Sequence, residues 1–143
     1  MTLTNAIELP DGTWIRGRGL RNPEPDDTDA PDYGLYLGSR RLQRRHDAAL
    51  TWPHDWIEWP DFLLPRDRAA AVRQIQKLHE KARSGRAEVA CGGGVGRTGT
   101  VIACLAVLSG LPANEAVAWT RANYNKRAVE TPWQRRWVEN YRK

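Results

Sequence analysis

The chain has 143 residues, 41% hydrophobic and 27% charged, with a formal net charge of +5 and two cysteines, Cys91 and Cys104. That length suits one domain over residues 1–143 with one core, and two cysteines are too few for a disulfide framework. No apolar run approaches the roughly 20 residues needed to span a bilayer, and the start Met1-Thr2-Leu3-Thr4-Asn5 lacks a basic then apolar leader. The expectation is a cytoplasmic protein, not attached to membrane and monomeric, in a compartment that keeps thiols reduced. The basic excess has three readings: a surface that draws anionic substrates, a nucleic-acid binder, or an ordinary basic surface.

The predicted elements begin with a short strand over Thr13 to Gly17 and a Pro- and Asp-rich loop from Asn22 to Asp32. Tyr33 to Gly38 alternates as a strand and is followed by a basic cluster, Arg40, Arg41, Arg44 and Arg45. Ala48 to Trp52 reads as another strand broken by Pro53, and Ile57 to Trp59 as a third ended by Pro60. From Pro65 to Ser84 the apolar residues Ala71, Val72, Ile75, Leu78 and Ala82 recur at helical spacing, with Gly85 as a C′ glycine. His79 falls on a charged part of this helix and reads as solvated. A strand over Ala87 to Ala90 leads through a glycine-rich turn into a helix from Arg97 to Ser109, apolar nearly all round and so central. Helices over Pro112 to Asn123 and Thr131 to Tyr141 complete an α/β chain with a small central mixed sheet flanked by helices.

The turn carries the chemistry. Cys91 and Arg97 stand six positions apart, joined by Gly92, Gly93, Gly94, Val95 and Gly96, between a strand and a buried helix. Glycines let backbone N–H groups turn inward, and a ring of them at a helix N-terminus is an anion site that fits phosphate. Arg97 adds a bidentate fork. The same donors stabilise a thiolate on Cys91 and make it a nucleophile at neutral pH. The plain alternative is a tight turn with Cys91 as an apolar filler. The missing Lys-Ser or Lys-Thr pair argues against a Walker-type phosphate loop.

Cys91-Gly92-Gly93-Gly94-Val95-Gly96-Arg97-Thr98-Gly99 resembles the C-x5-R-[ST] loop of the protein tyrosine phosphatase and dual-specificity phosphatase superfamily. The resemblance implies a phosphatase fold of dual-specificity size and a cysteinyl-phosphate intermediate, with no metal or cofactor. It implies that Cys91 is the nucleophile, that residues 92–97 hold the phosphate, and that Thr98 hydrogen-bonds the sulfur and helps it leave. Ala90 stands where the family usually has His, which implies a thiolate held less firmly than in typical relatives.

Trp59-Pro60-Asp61-Phe62-Leu63-Leu64-Pro65 resembles the family's Trp-Pro-Asp loop, which makes Asp61 the general acid and then the base that activates water. Asp55, after Trp52-Pro53-His54, is the second candidate. Glu130-Thr131-Pro132-Trp133-Gln134 resembles the family's glutamine loop, with Glu130 and Gln134 as candidates to position water. Thr131 and Gln134 read equally well as a helix capping box. Cys104 lies about 12 Å further along the helix at 1.5 Å per residue and reads as core filler. His46, His54 and His79 have no metal-site spacing.

The implied substrate is a phosphorylated protein, phosphotyrosine first and phosphoserine or phosphothreonine beside it. The uncharged residues between Cys91 and Arg97 disfavour inositol phospholipids. RNA 5′ phosphates, and a non-catalytic phosphate-binding module, are the competing functions.

Overall fold

The computed structural model describes residues 2–142. A five-stranded sheet runs β1–β2–β5–β3–β4, with β1 (Ile7–Glu8), β2 (Trp14–Gly19), β3 (Tyr33–Gly38), β4 (His54–Glu58) and β5 (Ala87–Cys91). β1 pairs antiparallel with β2 and the other pairs are parallel, so the sheet is mixed as expected. The helices are α1 (Arg40–His46), α2 (Arg68–Ser84), α3 (Gly96–Leu108), α4 (Ala113–Asn123) and α5 (Pro132–Glu139).

Side chains alternate across a strand, so β5 serves two cores. Ala87, Val89 and Cys91 face the large core with Ile75, Leu78, Ile102, Leu105, Val117 and Val138 of α2 to α5. Ala90 faces a smaller cluster with Leu20, Tyr36 and Leu50, against which Leu42 of α1 packs. The slot where the family carries His is therefore filled by apolar packing.

Glu88, on the same face as Ala90, is fully buried. Its Oε1 accepts from Arg16 Nε and Arg18 Nε, both at 2.9 Å, and its Oε2 accepts from Tyr36 Oη at 2.6 Å. Burial and then the Glu88 carboxylate push the Tyr36 phenol well up, which keeps it a donor. Glu88→Ala is expected to cost about 3 kcal/mol in urea unfolding, because two guanidinium groups lose their shared buried carboxylate.

Three expectations are corrected here. Ala48 to Trp52 is not a strand: residues Asp47–Ala49 form a 3-10 turn, and the strand starts after Pro53. Leu50 instead turns into the small core and Trp52 Nε1 donates to Tyr36 Oη. Gly85 ends α2 in extended backbone (φ −171°), not as a left-handed C′ residue, whereas Gly110 beyond α3 has φ +106°. His79 is buried, not solvated, with Nε2 2.8 Å from Asp11 Oδ2. Burial raises the Asp11 carboxyl, but the Thr13 N–H and His79 outweigh it and bring it down to about 2. Asp11 therefore contributes stability above its unfolded value of 3.8, lost as pH falls through about 2.

Candidate active site

β5, the middle strand, ends at Cys91, and α3 begins five residues later. The Gly94 N–H donates to Cys91 Sγ at 3.2 Å. That bond needs Gly94 in the left-handed region (φ +77°), and a Cβ there would lie 2.5 Å from Gly19 N. No side chain caps the N-terminus of α3 at Val95, so its first N–H groups remain available to an anion. The loop is tied to the end of β2 by Leu20 N–H to Cys91 O (2.8 Å) and Arg21 N–H to Gly92 O (3.1 Å).

The second part is the segment after β4. Trp59 is fully buried, and its Nε1 donates to Leu63 O at 2.8 Å, folding residues 59–63 into a hairpin bend. Phe62 sits at φ +61°, and its carbonyl accepts from Trp133 Nε1 at 2.6 Å. Arg97 joins the two loops: one terminal nitrogen donates to Trp59 O at 2.9 Å, and Nε lies 3.5 Å from Asp61 Oδ1.

These segments enclose a hollow of about 210 Å³. It is lined by Cys91, Gly93, Val95, Gly96 and Arg97 of the loop and by Arg21, Asp61, Phe62 and Glu130. The Glu130 carboxyl packs on Gly96, where any Cβ would overlap it. Burial and then the charge of Asp61 hold Glu130 above the usual carboxylate range, with Arg97 opposing.

Residues 64–139, just over half of the chain, match the family described as PTP-SAK, the Swiss Army Knife protein DSP-PTPase phosphatase domain. The chain belongs to this DSP-PTPase family. The matched span of the phosphatase takes in Cys91, Arg97, Glu130 and Gln134 and begins three residues after Asp61. No curated protein matches it. Among solved structures, it is similar to kinase associated phosphatase with its catalytic cysteine replaced by serine (13% identity, 96% of this chain and 93% of that one, TM-score 0.72). It is similar to Tk-PTP in the active form (23% identity, 96% and 95% coverage, TM-score 0.71). A third is a putative protein tyrosine phosphatase from Leishmania major (17% identity, 98% and 100% coverage, TM-score 0.62). At these identities the likeness is one of fold, and the observed sheet and helices are those of the dual-specificity type.

Of the residues singled out from the sequence, Cys91, Arg97, Asp61 and Glu130 meet at the hollow of the phosphatase, along with Gly93, Val95 and Gly96. Gly92 lies in the loop just behind. Thr98 is buried and its hydroxyl makes no hydrogen bond among the described residues, so the Gly94 N–H, not Thr98, holds the sulfur here. Gln134 is fully buried behind the site: its Oε1 accepts from Glu130 N–H (2.9 Å) and its Nε2 donates to Leu63 O (3.3 Å). It ties the C-terminal loop to the Asp61 loop, while Thr131 caps α5 through Gln134 N–H at 3.2 Å. Asp55 is engaged elsewhere, with Tyr33 Oη at 2.6 Å and Lys77 Nζ at 2.8 Å. Cys104 is fully buried in α3, where burial pushes its thiol well up.

Two site residues have no signature in the sequence. One is Arg21. The other is Tyr124, the C-cap of α4, whose hydroxyl donates to Gly94 O. Burial, then the nearby Cys91, push the Tyr124 phenol up, so it remains a donor. Its ring fills the space that a side chain at Gly17 would need. Tyr124 thus holds the carbonyl of the residue whose N–H holds the sulfur, in a chain that has Ala90 in place of the family's His. Tyr124→Phe is expected to slow alkylation of Cys91 by iodoacetamide at pH 7 by about fivefold, the worth of one hydrogen bond of ~1 kcal/mol. Thermal unfolding of the same variant checks that the fold is kept.

Proposed function

We propose that this phosphatase hydrolyses phosphate monoesters of proteins, phosphotyrosine first and phosphoserine or phosphothreonine beside it, through a cysteinyl-phosphate on Cys91. One observation carries the reading: a single hollow unites a nucleophile, a guanidinium and a carboxylic acid from separate segments, Cys91, Arg97 and Asp61. Phe62, half exposed at the same hollow, offers an apolar face for a tyrosine ring.

In the first step the Cys91 thiolate attacks phosphorus, the bond from phosphorus to the ester oxygen breaks, and Asp61 gives its proton to that oxygen. Arg97 and the uncapped N-terminus of α3 hold the three equatorial oxygens. In the second step water attacks the phosphocysteine, Asp61 takes its proton, and sulfur leaves as thiolate. The unpaired hydroxyl of Thr98 is free to donate to the departing sulfur. Glu130, beside Asp61, is the residue suited to orient the water. No step calls on a metal or a cofactor. Both cysteines are free thiols, which suits the reducing cytoplasm. No helix among the described residues is long and apolar enough to cross a membrane.

The test is hydrolysis, with chelator present, of matched phosphotyrosine, phosphoserine and phosphothreonine peptides and a 5′-phosphorylated RNA, with vanadate as competitor. The highest kcat/KM is expected for the phosphotyrosine peptide, with inhibition by vanadate. A preference for the RNA that collapses with salt would replace this reading with the nucleic-acid one.

A further inference from the structure

Arg21 stands just beyond β2, with its backbone N–H on Gly92 O. Its guanidinium lies directly over Gly92, within about 3 Å of where a side chain at that position would begin. It lines the same hollow as Cys91 and Arg97, and among the described residues no carboxylate pairs with it. A second cation is thus placed at the phosphate site with nothing in the chain to neutralise it.

The cation is not isolated. α1 carries Arg40, Arg41, Arg44 and Arg45 and no acidic residue. All four are exposed, and only Arg40 reaches a carboxylate among the described residues, Glu58 at 3.6 Å. Leu42 of α1 packs on the small core that holds Leu20, the neighbour of Arg21. The hollow that Arg21 lines also presents the carboxylates of Asp61 and Glu130 and the half-exposed ring of Phe62, with exposed Leu63 and Trp133 nearby.

We propose that Arg21 forms a second anion subsite, which makes this phosphatase select phosphotyrosine segments carrying an acidic side chain beside the phosphorylated residue. The proposal rests on the protein-phosphatase reading above. The mixed lining decides the class of partner. A polynucleotide carries phosphate on both sides of any internal position and would set them against Asp61 and Glu130 as well as Arg21. A peptide can place Asp or Glu against Arg21 and apolar residues against Phe62 and Trp133. A rim charge of this kind acts on encounter and on selection among partners, and salt screens it.

The experiment compares kcat/KM for two phosphotyrosine hexapeptides, one flanked by Glu and one by Gln, in the wild-type protein and in Arg21→Gln and Arg21→Glu. The wild type should prefer the acidic peptide by about fivefold at low salt, in the range of one partly exposed ion pair. The preference should vanish in Arg21→Gln, invert in Arg21→Glu, and shrink in 1 M salt. Thermal unfolding of each variant reports that the protein is folded. Equal rates on both peptides by the wild type, or an unchanged preference in Arg21→Glu, overturn the subsite and leave the phosphatase reading standing. Failure on both peptides, with turnover of a small aryl phosphate, overturns the protein-substrate reading and the subsite with it.

Discussion

Replacing Cys91 with serine is expected to abolish phosphate release, by at least about 10⁴-fold in kcat, while binding of a phosphotyrosine peptide is retained. The reason is local. Everything that holds the anion lies outside the sulfur: the uncapped start of α3, the Arg97 guanidinium and the backbone of residues 92–96. A serine hydroxyl leaves those donors in place. What it lacks is an ionised form at neutral pH, since among the described residues the one hydrogen bond to Cys91 comes from a backbone amide and none from a side chain that could act as base. Single-turnover release of labelled phosphate, with binding followed by tryptophan fluorescence, separates the two effects. Release from the serine variant within tenfold of wild type would show that the sulfur does not attack.

The second large effect concerns the acid. Asp61→Asn is expected to lower kcat by about 10² to 10⁴ on phosphotyrosine peptides, and much less on an aryl phosphate whose leaving group needs no proton. A general acid works by giving a proton to the leaving oxygen, which the Asn side chain cannot do. Glu130 makes this a discriminating test. Burial and the Asp61 charge favour its protonated form, so it is the rival proton donor at the hollow. If Glu130 were the acid, Glu130→Gln would carry the large loss and Asp61→Asn would keep kcat within about tenfold of wild type. Removing the Asp61 charge also takes away one of the two causes that raise Glu130, which should then titrate lower. The opposing pulls on Arg97, from Trp59 O and from Asp61, predict that Asp61→Asn leaves the loop in place, because the carbonyl bond at 2.9 Å persists.

The loop that carries the proposed nucleophile is legible in the chain for a simple reason. Cys91 through Arg97 is one contiguous run, and its geometry is set by local terms: glycines that tolerate a tight inward turn, and a helix that begins where they end. Asp61 was legible for the same reason, through its Trp-Pro and Pro65 flanks. α2 followed from apolar spacing, because it buries one face against the sheet, and α3 from an apolar run that is buried nearly all round. α4 and α5, which pack on α3, were marked by Pro112 and Thr131-Pro132 at their starts. Ala48 to Trp52 misled because its apolar residues serve a small second core from an irregular segment, which periodicity cannot distinguish from a strand. His79 misled because its partner, Asp11, is 68 positions away.

By itself, then, the amino-acid order pointed to the Cys91–Arg97 loop, to Asp61 as the acid proposed beside it, and to the α/β class, all of which depend on neighbours within a few residues. Only the tertiary structure decided that Tyr124 steadies the loop through Gly94, that Gln134 braces the loops while Glu130 lines the hollow, that Asp55 belongs to Lys77, and that Arg21 lines the hollow beside Cys91. The physical reason is that these contacts join side chains from the ends of different strands and helices. The parallel order β2–β5–β3–β4 brings those ends to one edge, and nothing in a local pattern encodes which ends will meet.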